Sequence, residues 1–297
     1  MFKSGFIGII GRPNVGKSTI LNNIIGEKIS IVTPKPQTTR NKITGIKNIE
    51  GGQFIFLDTP GIHRASTPLN RYMVATATAV FKNVDLLLLL VEATAGVLPQ
   101  DIFIIESMKD AGLPVILVIN KIDLVKKTTL LPIIDQFQRL FPFREIIPVS
   151  ALTGSGVQII MDEIWKLLPE GPQYFPEDMV VDCSERFIAA EIIREKVTLL
   201  TRQEIPYATA VVVDTFKEDE ERGHISIQAT INCEKNSQKG ILIGKKGAML
   251  KEIGMQARKE MEEFFAARVY LELFIRLTKD WTHNERMLRE FGYTNKP

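Results

Sequence analysis

The sequence predicts two domains of different class. The first is an α/β domain on a mostly parallel sheet with one antiparallel edge strand, and the second is a smaller α+β domain. Three observations predict this. Up to residue 168, short apolar runs alternate with helical stretches, the pattern of a sheet wrapped by helices. At Pro169–Pro176 (PEGPQYFP), three prolines and a glycine interrupt that pattern. Beyond it, the apolar period alternates between strand-like and helix-like. We therefore expect a first domain over 1–172, a linker over 173–180 and a second domain over 181–297.

In the first domain the candidate strands are Phe6–Ile10, Ile43–Ile49, Gln53–Asp58, Asp85–Glu92, Pro114–Asn120 and Glu145–Ser150. The candidate helices are Lys17–Ile25, Leu69–Lys82, Gln100–Asp110, Leu130–Leu140 and Val157–Leu167. Only Glu50-Gly51-Gly52 separates the second and third strands, so these two should form the antiparallel hairpin at an edge. The others need crossover helices and should run parallel. In the second domain Phe187–Leu200 reads as a helix. Ile225, Ile227, Ala229, Ile231 and Cys233 alternate with polar residues as a half-buried strand. Leu250, Ile253, Ala257, Met261 and Phe264 form one helical stripe, and Val269, Leu271, Leu273, Ile275 and Leu277 form another strand. The expected order is helix, strand, strand, glycine loop, helix, strand.

Composition bounds the functional class. The chain has 297 residues, 45% hydrophobic and 24% charged, ordinary for a globular protein with a core. A net charge of +2 does not announce a nucleic-acid binder, so any basic patch must be local. The two cysteines, Cys183 and Cys233, supply neither a disulfide framework nor a metal cluster, and a reducing cytosol is expected. The apolar run Leu86–Val91 falls far short of the ~20 residues that cross a bilayer and reads as a buried strand. MFKSGFIGII resembles a weak signal peptide, but cleavage would remove the strand that feeds the loop at Gly11, so a targeting role is rejected.

Residues 11–18, Gly11-Arg12-Pro13-Asn14-Val15-Gly16-Lys17-Ser18, match G-x-x-x-x-G-K-[ST] between a strand and a helix. The glycines let the backbone wrap a phosphate chain, and the helix N-terminus attracts the anion. Lys17 can reach the terminal phosphates and the Ser18 hydroxyl can ligate Mg²⁺. Asp58-Thr59-Pro60-Gly61 ends the third strand, where the carboxylate can hold Mg²⁺ through water and the Gly61 N–H can touch the terminal phosphate. Asn120-Lys121-Ile122-Asp123 and Ser150-Ala151-Leu152 end two further strands. All lie at carboxyl ends of strands, where open α/β sheets bind ligands. Guanine has a 2-amino donor that adenine lacks. Asp123 can accept from it and from N1–H, Lys121 can cover the ring, and the Ala151 N–H can reach O6. A buried carboxylate without those donors would reject adenine, so GTP and not ATP is expected. The loop 31–41 (IVTPKPQTTRN) has the polar, proline-bearing character of a segment ordered by the terminal phosphate and Mg²⁺. Either Thr38 or Thr39 can supply the metal with a hydroxyl.

The set GRPNVGKS, QTTR, DTPG, NKID and SAL resembles the translation-factor-related GTPases and, within them, the Era family. FPED at Phe175–Asp178 and SERFIAAEIIREK at Ser184–Lys196 extend the likeness along the chain. The resemblance implies that Thr39 is the metal-binding threonine of the first switch. It also implies that the neighbourhood Gly11–Ser18, Asp58–Ile62, Asn120–Asp123 and Ser150–Leu152 binds GTP, with Lys17, Thr39, Gly61 and Asn14 serving catalysis. In related GTPases an asparagine at the Asn14 position helps hold K⁺, so K⁺ is a candidate second cofactor beside Mg²⁺. Where Ras has a water-orienting glutamine after the DxxG glycine, this chain has Ile62, so slow intrinsic hydrolysis is expected. The neighbouring His63 reads as a surface residue.

Residues 244–247, Gly244-Lys245-Lys246-Gly247, fit the GxxG loop of a KH domain, which clamps about four nucleotides of single-stranded nucleic acid. Lys239 and Lys251 extend the charge, and the element order matches the type II KH arrangement. The Era resemblance then implies a GTP-driven RNA-binding switch. Its partners would be GTP and GDP, the 3′ end of 16S ribosomal RNA and the small ribosomal subunit, whose assembly it would assist. A cytoplasmic monomer is expected, with peripheral association at the cytoplasmic face of the inner membrane left open. The rival reading is a membrane-associated signalling GTPase whose C-terminal domain binds protein or lipid. FGYTNKP carries no prenylation box to favour it. A tRNA-modifying GTPase would need a reactive cysteine after Cys233, and none follows.

Overall fold

The structure, a computed structural model, describes residues 1–219 and 223–294, so the last residues of FGYTNKP lie outside the described part. The chain divides into two compact units between Asp182 and Cys183.

The first unit holds six strands: β1 (Lys3–Gly11), β2 (Ile43–Ile49), β3 (Gly52–Asp58), β4 (Leu86–Glu92), β5 (Val115–Asn120) and β6 (Glu145–Pro148). They lie in the order β2-β3-β1-β4-β5-β6. β2 and β3 pair antiparallel at one edge, and every other pair in this sheet is parallel. The Leu86–Val91 run is fully buried, because helices cover both faces of a parallel sheet. Five helices wrap the sheet: α1 (Lys17–Ile25), α2 (Pro68–Ala79), α3 (Pro99–Met108), α4 (Leu130–Gln138) and α5 (Val157–Leu167). β1, β3, β5 and β6 all end at the same rim, and the candidate motifs follow each of them.

The proline-rich segment expected as a linker over 173–180 is bonded to this unit. Both Tyr174 N–H and Phe175 N–H donate to Gln53 Oε1, at 2.9 and 3.0 Å. Ile46 N–H donates to Val180 O and Asp182 N–H to Thr44 O, at 2.9 and 3.0 Å. The segment thus covers the otherwise open edge of β2, a common way to protect an edge strand.

The second unit contains α6 (Glu185–Leu200), β7 (Thr209–Asp219), β8 (His224–Cys233), α7 (Asn236–Ile243), α8 (Ala248–Phe265), β9 (Arg268–Leu277) and α9 (Glu285–Glu290). Its sheet has the order β7-β8-β9, with β7 antiparallel and β9 parallel to β8. The expected stripe of α8 buries Ile253, Ala257 and Met261. α7 was not expected. It is only eight residues long and contains Gly240, too short and weakly patterned to register as a period. α6 carries a buried ionic row: Arg194 pairs with Glu191 at 2.5 Å, and Lys196 bonds Glu195 and, from α8, Glu260. Among the described residues, no helix is long and apolar enough to cross a membrane.

Candidate functional site

The loop between β1 and α1 is held in a shape that ordinary side chains disfavour. Gly16 has φ 98°, and a Cβ there would lie 2.2 Å from Asn120 Nδ2, so only glycine fits. Asn14 also sits in the left-handed region, at φ 65°. α1 starts at Lys17 with no side-chain cap, which leaves its first N–H groups for an anion. The Lys17 ammonium donates to the carbonyls of Gly11 and Arg12, at 3.2 and 2.9 Å. Burial pulls its pKa down to about 8, against the opposing pull of the Asp58 carboxylate.

The expected metal set converges. Ser18 Oγ donates to Asp58 Oδ2 at 2.7 Å and lies 2.9 Å from Thr39 Oγ1. Asp58 is fully buried, its Oδ1 has no hydrogen-bond partner, and burial pushes its carboxyl above the usual range. A buried carboxylate with one oxygen bare and the other bonded to one of two touching hydroxyls offers the oxygen donors that a hard divalent cation takes. Ser30, which the sequence reading missed, donates to the same Asp58 Oδ2 at 3.0 Å. A lone serine in a loop carries no sequence signal. Between Thr38 and Thr39 the structure favours the second: Thr38 Oγ1 is turned to Lys35 O and the Thr33 hydroxyl, at 2.7 and 2.6 Å.

A cavity of about 500 Å³ opens over these groups. Pro13, Asn14, Gly16, Lys17, Ser18, Thr39 and Gly61 line its phosphate end. Asn120, Lys121, Asp123, Ala151 and Leu152 line the other, where Asp123, expected to be a buried carboxylate, is exposed because it stands on the turn after β5. The loop 31–39 closes one side, and Asn14 Nδ2 holds it by donating to Pro34 O at 3.0 Å. Lys121 has φ 64° and pairs with Glu92 at 2.6 Å, which fixes its stem. Asn120 ties the rim together: Nδ2 donates to Val15 O and Oδ1 accepts from Ala151 N–H, both at 2.8 Å.

Several expected contacts are revised. The Ala151 N–H, expected on guanine O6, is taken by Asn120. The Arg12 side chain turns away from the cavity and donates through Nε to buried Asp101 of α3 at 2.7 Å. Ile62 is fully buried in the apolar core, and only its N–H reaches the loop, donating to Gly11 O at 3.1 Å. Ile122 packs against the same core. Thr59 Oγ1 donates to Ile9 O at 2.7 Å, Pro60 and Val15 are buried, and Ser150 Oγ accepts from Thr153 N–H. These residues build the rim without facing the cavity. His63, read as a surface residue, is half-buried and its Nδ1 lies 2.8 Å from Gly61 O.

In the second unit the GKKG loop follows α7. Gly244 has φ 70°, and a Cβ there would lie 2.8 Å from Met249 N, so the loop needs glycine to turn into α8. Lys245 and Lys246 are exposed, the latter at φ 54°. Gly247 and Lys251 border a groove of about 430 Å³ between α8 and β9. Lys239 lies on α7, half-buried. The sequence reading missed Gly254, Met255, Arg258 and Tyr270 of this groove. Helical spacing could have found most of them, since Lys251, Gly254, Met255 and Arg258 recur at three- and four-residue steps.

Known proteins match both units. The family described as "50S ribosome-binding GTPase" matches residues 6–121, and the family described as "KH domain" matches residues 204–282. GTPase Era of Syntrophus aciditrophicus is 66% identical over 293 residues, covering 99% of this chain and 96% of that protein. The chain belongs to the Era GTPase family. Era of Geotalea uraniireducens is 57% identical over 292 residues, covering 98% of each. Among solved structures, Era in complex with MgGDPNP and nucleotides 1506–1542 of 16S ribosomal RNA superposes with a TM-score of 0.96 at 42% identity, covering 99% of this chain and 100% of that one. An Aquifex aeolicus Era variant bound to GDP and AlF₄⁻ gives the same values. The chain is a GTPase with a P-loop domain on a mostly parallel sheet followed by a KH domain.

Proposed function

We propose that this GTPase captures the 3′ end of small-subunit ribosomal RNA in the groove beside GKKG and assists assembly of the small subunit, with GTP and Mg²⁺ governing capture and release. The observation that carries this reading is the joint presence of the converged phosphate site and the GKKG groove in a chain that superposes along its length on an Era bound to that RNA.

In this reading the uncapped start of α1 and Lys17 hold the phosphates, and Ser18, Thr39 and Asp58, the last through water, hold Mg²⁺. When bound, Mg²⁺ neutralises charge on the terminal phosphates. The Gly61 N–H meets the terminal phosphate. Asp123 accepts from the guanine 2-amino and N1–H groups, while Lys121, steadied by Glu92, covers the ring. With Ile62 turned into the core, no side chain at that position orients water, so intrinsic hydrolysis is slow. Asn14 spends its Nδ2 on Pro34 O, and its Oδ1 is the atom that would help hold K⁺, so K⁺ speeds hydrolysis more than Na⁺. Lys245 and Lys246 bind RNA phosphates, and the groove between α8 and β9 receives unstacked bases. Crosslinking in cells, with the bound fragments sequenced, tests the reading. It expects the 3′ end of small-subunit ribosomal RNA, and recovery of other RNAs without that end contradicts it.

A further inference from the structure

The KH sheet has a second face that, among its β9 residues, the groove reaches only at Tyr270. Along β9, Val269, Leu271, Leu273, Ile275 and Leu277 form one row, facing the helices. The opposite row is Arg268, Tyr270, Glu272, Phe274 and Arg276, two aromatic residues bracketed by two arginines. Tyr270 and Phe274 are 58% and 53% exposed, unusual for large aromatic side chains, and both arginines are exposed. A chain of hydrogen bonds across the three strands holds the tyrosine. Tyr270 Oη donates to Glu272 Oε1 at 2.9 Å, Gln228 Nε2 donates to Glu272 Oε2 at 2.7 Å, and Thr215 Oγ1 donates to Gln228 Oε1 at 3.1 Å. Both carboxylate oxygens of Glu272 are thereby engaged by donors, which blunts its repulsion of phosphate. Tyr270 also lines the groove beside Gly254 and Arg258, so the groove and this face are continuous around the β9 edge.

We propose that the open face of β9 is a second stacking platform for single-stranded RNA, taking the nucleotides that leave the KH groove. Tyr270 receives the base at the mouth of the groove, Phe274 one beyond it, and Arg268 and Arg276 hold the backbone. Aromatic rings accept any base, so the platform lengthens the footprint without adding a fixed sequence. Continuity with the groove and the flanking arginines favour RNA over an apolar protein segment as occupant. The inference rests on the RNA-binding reading above.

Fluorescence anisotropy on the full chain tests it. The probes are two RNAs cut from the 3′-terminal small-subunit sequence, one of about four nucleotides, the span of a KH groove, and one three times as long. Phe274 lies outside the groove and is exposed, so Phe274→Ala removes the platform alone. It should bind the short RNA as the wild type does and the long RNA roughly tenfold more weakly, as loss of one base–aromatic stack predicts. Tyr270→Phe should retain long-RNA binding, and Tyr270→Ala should weaken it by at least a similar factor. If Phe274→Ala binds the long RNA as tightly as the wild type while Lys245→Ala/Lys246→Ala weakens both RNAs, the platform is wrong and the groove acts alone. Equal weakening of both RNAs by Phe274→Ala also overturns it, because the effect is then on the groove. If the wild type binds neither RNA, both the platform and the RNA-binding reading fall.

Discussion

The nucleotide loop and the GKKG loop, both proposed here to receive phosphates, are built in opposite ways. At the first, Lys17, Ser18, Thr39 and Asp58 are all buried and bonded to one another or to the loop carbonyls. At the second, Lys245 and Lys246 stand in solvent on a glycine turn. A buried charge gains strength from its low dielectric surroundings and is intolerant of change, whereas an exposed charge is screened by salt and replaceable. The first arrangement suits one ligand in one pose. The second suits a long polymer whose backbone is everywhere alike.

The largest effect of a single substitution should fall on base choice, where Asp123 is exposed and is covered only by the ligand it selects. Asp123→Asn should move preference from GTP toward xanthosine triphosphate, a change on the order of 10⁴ in relative affinity for a site built around a donor pair. Competition binding with both triphosphates measures it, and unchanged preference for GTP would remove Asp123 from the base site. Next should come stability. Asp101→Ala leaves the Arg12 guanidinium buried without its carboxylate and removes the bond to Leu98 N–H, so the first unit should lose about 3 kcal/mol. Lys245→Ala/Lys246→Ala should stay within roughly 0.5 kcal/mol, as surface changes do. Hydrogen exchange in urea, read separately on β1 and β8, checks both, and equal effects would erase the contrast.

A smaller effect concerns pH. Burial lowers Lys17 to about 8 in the nucleotide-free protein. Phosphates favour the charged form, so the bound pKa is higher than the free one and binding takes up a proton above that pH. Affinity for GTP should hold below pH 8 and then fall by up to about tenfold per pH unit. Calorimetry in buffers of different ionisation enthalpy detects the proton directly, and binding at pH 9 without proton uptake would contradict the lowered value.

Much of this was legible in the sequence where one local rule decides. GRPNVGKS between a strand and a helix placed Lys17 and Ser18, and Glu50-Gly51-Gly52 placed the antiparallel edge. What escaped depends on partners distant in the chain. Arg12 lies in the loop motif, but its direction is set by Asp101, 89 residues on. Ser30 matters only because folding brings it to Asp58. The proline-rich segment after α5 has linker composition, and the open edge of β2 and the Gln53 side chain decide where it lies. Ile62 was read as unable to orient water, and only the packed core shows where its side chain goes.

The central claim is that one chain holds the phosphates of a nucleotide against buried groups and RNA on an exposed loop. Measuring RNA affinity against salt for the wild type and Lys245→Ala/Lys246→Ala, with GTP hydrolysis followed in the absence of RNA, tests it most directly. Loss of two phosphate contacts should weaken all single-stranded RNAs by a similar factor and make the slope of log affinity on log salt shallower by roughly 1.4, at about 0.7 per contact. GTP hydrolysis should be unchanged. Unchanged RNA affinity and slope would contradict the account, because GKKG would then be only a turn.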